Sequence, residues 1–138
     1  MNSPTIPWLR ALGVWLLLMA AETVHGILRT FFLEPILGDF RARQVSVFSG
    51  SLLILAISYL AFPWLRTWDR KKLLAIGVLW VSCTILFEIV LARLILRLSW
   101  ERILSDYNPS QGGLLPIGLA VLLFAPLLAG ALRERREP

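Results

Sequence analysis

The chain is 138 residues long, 57% hydrophobic and only 17% charged, with a mean hydropathy of +0.72. A soluble domain of this size has too much surface per unit volume to hide that much apolar area, so the composition indicates an integral membrane protein. The net charge of +5 does not indicate nucleic acid, because the charges cluster at the ends of apolar runs, as membrane flanks do.

Residues 1–10 form a short polar lead with Pro4, Pro7 and Arg10. The first apolar run follows over about 11–33. A cleaved signal peptide is the competing reading, but Leu18 or Met19 falls where cleavage wants a small residue, and apolar character resumes after Glu22. A retained helix is therefore expected. Pro35 and Gly38 end it, and 34–44 reads as a polar loop. The second run, 45–65, carries no charge, and at 1.5 Å per residue it spans roughly 30 Å, one bilayer core. Pro63 lies near its end. A basic loop at 66–72 leads to the third run, 73–96, which holds Glu88 and Arg93. A second polar loop covers 97–113. The fourth run, 114–132, is uncharged, holds Pro116 and Pro126, and ends in a basic tail. The expected fold is all-α and integral to the membrane: four transmembrane helices, arranged as two tandem helical hairpins in one domain.

Four spans put both termini on one side. That side carries Arg10, Arg66, Arg70, Lys71, Lys72, Arg133, Arg135 and Arg136 against Asp69, Glu134 and Glu137. The opposite loops carry Arg41, Arg43, Arg97 and Arg102 against Glu34, Asp39, Glu101 and Asp106, which cancel. The Lys/Arg bias predicts cytoplasmic termini in a bacterial-type inner or plasma membrane. Trp8, Trp64 and Trp68 fit one aromatic belt, and Phe31, Phe32, Trp100 and Tyr107 the other.

The two halves resemble each other. Trp15-x6-Glu22 parallels Trp80-x7-Glu88, Asp39-x4-Gln44 parallels Asp106-x4-Gln111, and Gly50-x12-Pro63 parallels Gly113-x12-Pro126. Each half is a charged helix, a polar loop and an uncharged helix ending near proline. This pattern predicts a parallel internal repeat about an axis along the membrane normal. The plain alternative is chance among residues common in membranes.

The first run carries Glu22, His25 and Arg29 at i, i+3 and i+7, within about 60° of arc on one helix face. Ionisable groups at membrane depth cost roughly 2.5–3.5 kcal/mol each on insertion scales and mark a functional site by default. If the halves are equivalent, the first and third helices face each other. Glu22, His25 and Glu88 then form one layer, and Arg29 and Arg93 a second, one turn further out. Asp39, Arg41, Arg43, Gln44, Glu101, Arg102 and Asp106 cap it from the outer loops. These residues are the expected site, between the first and third helices and open to the outer face.

The leading reading is a site that binds or translocates a small polar or anionic ligand, or protons, through a carboxylate and imidazole at membrane depth. A basic pocket of Arg29, Arg93, Arg41, Arg43 and Arg97 suits a phosphate, carboxylate or anionic lipid headgroup. A membrane enzyme acting on lipid phosphate would use Glu22 or His25 as general base; no nucleophile is set up nearby in sequence, and Ser99, Ser105 and Tyr107 are the only plausible hydroxyls in the second polar loop. Glu22-x2-His25 has the spacing of a di-iron motif, but the chain has one histidine and lacks the further carboxylates; a haem on His25 is the weaker form of that idea. No metal or cofactor is expected. The alternative is a membrane-embedded assembly or scaffold subunit, in homo- or hetero-oligomers, whose buried charges pair to fix helix register: Glu22 with Arg29, Glu88 with Arg93 or Arg29, and His25 with Glu88. The single Cys83 lies off the Glu88 face and reads as a packing residue.

Overall fold

The apolar runs become helices because a helix satisfies every backbone polar group within its own segment, as lipid requires. The computed structural model describes residues 6–65 and 67–136, with side chains through Glu134. Residues 1–5, Arg66, Glu137 and the side chains of Arg135 and Arg136, which enter the charge comparison, lie outside the described residues. Helix α1 runs Trp8–Leu37, α2 Asp39–Leu65, α3 Arg70–Ile95, α4 Trp100–Tyr107 and α5 Leu115–Arg136. Among the described residues there is no strand. Helices α1, α2, α3 and α5 are long and apolar enough to cross a membrane. Large apolar side chains such as Leu17, Phe31, Leu52, Leu60, Leu86 and Leu94 point outward from them. Such a surface suits lipid and not water.

The expected loop at 34–44 is helical except at Gly38. Two local features allow this. Pro35 sits in the first turn of the segment Glu34–Leu37, where its missing N–H is not needed. A wide π-helical turn at Arg29–Leu33 precedes it and carries the Glu34 N–H to the Arg29 carbonyl. The chain then reverses at Gly38, whose φ of +84° and ψ of 163° suit glycine alone. Asp39 opens α2 at once, an acid in its first turn.

The expected loop at 97–113 also contains structure. Ser99 caps α4 by accepting from the Arg102 N–H at 3.2 Å. Trp100, Ile103, Leu104 and Tyr107 recur at helical spacing; Ile103 is buried while Trp100 and Leu104 stay exposed. A short 3₁₀ turn, Pro109–Gln111, closes at Gly112 with φ +83°. Its first carboxamide, Asn108, accepts from the Ser110 N–H.

Helix α2 packs most extensively on α5, α5 on α3, and α1 touches both α2 and α3. Small residues set the close contacts. At Gly77 the Leu123 backbone carbonyl occupies the place of a side chain, and Gly130 lies against Phe62 and Leu73. Buried Trp80 donates to the Ala11 carbonyl at 2.9 Å, and Trp15 to Thr84 Oγ1 at 3.0 Å, tying α1 to α3. Such polar ties between membrane helices are worth about 1 kcal/mol each. Pro63 inside α2 has no N–H for the Tyr59 carbonyl, and Arg133 Nε of α5 fills that role at 2.6 Å.

Candidate functional site

Glu22, His25, Arg29, Arg43, Gln44, Glu88 and Asp106 line one cleft of about 200 Å³. Helix α1 supplies the first three from one face, since its α-helical period holds to Leu28 before the π turn. All four long helices contribute. The cleft is therefore not confined to the space between the first and third spans, as expected above: Ser46, Gly50 and Ile54 of α2 and Gly118 and Leu122 of α5 also form its wall.

At the deeper level, His25 Nε2 lies 2.7 Å from Ser49 Oγ, and its Nδ1 lies 3.7 Å from Glu22 Oε2. Gly50 makes room for this pair. A Cβ there would sit 3.0 Å from Glu22 Oε2 and 3.5 Å from His25 Cε1. Glu22 Oε1 and Arg29 Nε are both buried without a hydrogen-bond partner among the described residues. Glu88 comes from α3 and lines both the cleft and a second cavity of about 50 Å³ beside α4. Asp106 also lines both, and Arg102 and Tyr107 line the second.

At the end bearing Gly38 and α4, a closed ring of ion pairs joins α2 to α4. Asp39 lies 3.2 Å from Arg43 and 3.2 Å from Arg102. Asp106 takes the other arm of each, pairing closely with Arg43 and at 3.3 Å with Arg102. Gln44 Nε2 donates to the Gly112 carbonyl at 2.8 Å and so ties α2 to the turn before α5. Burial pushes the Tyr107 hydroxyl above its ordinary pKa, and the nearby Glu88 carboxylate pushes the same way.

Three expected residues stand elsewhere. Arg93 is exposed, donates to the Leu98 carbonyl at 2.9 Å and lies over the Trp100 ring at 4.9 Å. Five residues past Glu88, it falls about 140° round the helix from that face, and the π turn at Leu91–Ile95 displaces it further. Arg41 is exposed on α2, and Glu101 is exposed in the first turn of α4, where an acid complements the helix dipole. Among the described residues neither Glu22 nor Glu88 forms an ion pair with an arginine, and His25 bonds Ser49 instead of Glu88. Ser46, Ser49, Gly50, Thr84 and Tyr107 are the additional polar or small residues at or beside the cavities. Their signal was the small pair Ser46 and Gly50 at i and i+4 in an uncharged run.

The hydroxyls named above have local tasks. Ser99 caps α4 and Ser105 Oγ donates to the Arg102 carbonyl at 2.7 Å. Among the described residues no group of three or more His, Cys, Asp or Glu side chains is placed to hold a metal ion. Four helices able to span a bilayer, with a charged cleft among them, define the class of a helical integral membrane protein. No family model, curated protein or solved structure matches the chain.

Proposed function

We propose that this protein binds, and carries across the membrane, a small polar solute in the cleft between its four spans. One observation carries the reading: Glu22, Arg29 and Glu88 gather around one open cleft without pairing with each other. Charges that only hold helices together do so by pairing, as Asp39, Arg43, Arg102 and Asp106 do here. Unpaired ionisable groups at membrane depth cost stability and are retained where a ligand completes them. The same reading takes the chain as two tandem hairpins. In its support, α1 and α3 each carry a π turn toward the Gly38 end, α2 and α5 each hold an internal proline, and Asp39 and Asp106 share the same two arginines. The Lys/Arg asymmetry places both termini in the cytoplasm and the Gly38 end of the cleft on the opposite side.

The competing reading is a scaffold subunit with structural charges, and thiol labelling together with thermal stability separates the two. In a Cys83→Ser background, Gly26→Cys should react with charged methanethiosulfonates of either sign, because Gly26 lines the cleft. Glu22→Gln and Glu88→Gln should leave the thermal midpoint unchanged or raise it. No labelling, together with a lower midpoint for both glutamine variants, would show a dry structural network and overturn the reading.

A further inference from the structure

Two of the ionisable groups lining the cleft are neutralised within the protein. Arg43 and Asp106 neutralise each other in the ring at the Gly38 end, with Asp39 and Arg102 completing it. What remains facing the cleft is two carboxylates, Glu22 and Glu88, one guanidinium, Arg29, and the imidazole of His25, already hydrogen-bonded to Ser49. Glu22 and Arg29 both line the cleft, and among the described residues neither forms an ion pair with a side chain of fixed opposite charge, so the site offers an acceptor and a donor at once.

That remainder selects among ligand classes. A simple anion would meet Arg29 but also face two carboxylates. A simple cation would leave Arg29 without an acceptor. A solute carrying an amine and an anion offers a donor to Glu22 and an acceptor to Arg29. The cleft of about 200 Å³ is smaller than the roughly 300–1,000 Å³ of pockets for drug-sized ligands, which limits the frame between the two charges to a few atoms. Glu22 and Arg29 are seven residues apart, about 10 Å along the α1 axis, so the two ends bind at different depths.

We propose that the cleft takes a small zwitterion, an amino-carboxylate or amino-phosphate, with its ammonium on Glu22 and its anionic group on Arg29. The inference rests on the solute-binding reading above and narrows it to one ligand class. The amino-phosphate can come free in solution or as the headgroup of phosphatidylethanolamine.

The test uses the full chain purified in a neutral maltoside detergent. The probes are glycine, β-alanine, γ-aminobutyrate and phosphoethanolamine, with propylamine and propionate as single-charge controls and phosphatidylethanolamine added to the micelles as the lipid arm. Binding is read as a saturable rise in thermal midpoint and by calorimetric titration. At least one zwitterion should bind ten-fold or more tightly than either control. Glu22→Gln and Arg29→Gln should each weaken it ten-fold or more, and Arg29→Lys should weaken it less. Gly26→Leu keeps every charge and places its side chain where a Cβ meets nothing within 4 Å, so it should fold with unchanged helical circular dichroism and lose binding. Binding by the lipid alone would keep the class and assign the source to the bilayer. Propylamine binding as well as the zwitterions, with Arg29→Gln indifferent, would overturn the zwitterion and leave the solute reading standing. The same holds for propionate with Glu22→Gln indifferent. Labelling of Gly26→Cys without binding of any zwitterion overturns this inference alone; failure of both overturns it together with the broader reading.

Discussion

Gly38 shows how one residue can hold a helical hairpin. Its φ of +84° with ψ of 163° lies in a region that residues with a Cβ enter at a cost of about 1–3 kcal/mol. Nothing lies within 4 Å of a Cβ there, so the whole cost is backbone strain. Gly38→Ala should lower unfolding stability by that amount in a detergent melt. Gly26→Ala is the matched control: it is helical, has equally open space and should gain about 0.5–1 kcal/mol. A loss at Gly26 equal to that at Gly38 would refute the strain argument. Tyr107 makes a second case, outside the spans. Its pKa is raised in the folded protein, so the unfolded chain releases that proton first as pH rises. Its stabilising contribution is complete below the ordinary tyrosine value of 10.0 and is lost as pH climbs through the higher folded value. Tyr107→Phe should therefore flatten part of the alkaline fall in stability. Superimposable wild-type and variant curves above that pH would contradict the burial of its hydroxyl.

At the scale of elements, the ring of Asp39, Arg43, Arg102 and Asp106 is what fastens α4 to α2. Two of its pairs are i,i+4 contacts within one helix, and two cross between helices. Because Arg43 is the least exposed member, its cross-helix pair with Asp106 should couple by about 1 kcal/mol, at the top of the 0.2–1 kcal/mol usual for exposed pairs. In a double-mutant cycle, Arg43→Gln with Asp106→Asn should cost clearly less than the two single changes added. Simple additivity would mean that the pair does not fasten the helices. This ring was only partly legible in the sequence. Its members were expected near one another above the cleft, but pairing across helices depends on α4 forming, and a stretch rich in Asp, Asn, Pro and Gly reads first as a loop. The Ser99 cap and the apolar face of Trp100, Ile103 and Leu104 were the available signals. Arg93 was misplaced for the opposite reason. Depth along the helix puts it level with Arg29, but five residues past Glu88 turns it about 140° off the face. The spans themselves were readable because apolar length is a property of the sequence alone. The share taken by α2 in the cleft was not, because Ser46, Ser49 and Gly50 act through what packs against them.

Over the whole molecule, charge is distributed unevenly. The end with residues 67–72 and both chain termini is lysine- and arginine-rich. The Gly38 end balances its charges, spends them on the ring, and holds the cleft open near α4. Positive charge next to short spans is retained in the cytoplasm during insertion, and the orientation proposed above rests on that rule. Single cysteines at Arg41 and Lys71, both exposed, report the two ends independently in a Cys83→Ser background. With an impermeant maleimide on intact cells, Arg41→Cys should label at once, and Lys71→Cys only after the membrane is opened. The opposite pattern would invert the protein and turn the mouth of the cleft toward the cytoplasm. Labelling of both sites in intact cells would break the four-span topology itself, since an even number of spans between these two positions is then required where α2 alone lies between them.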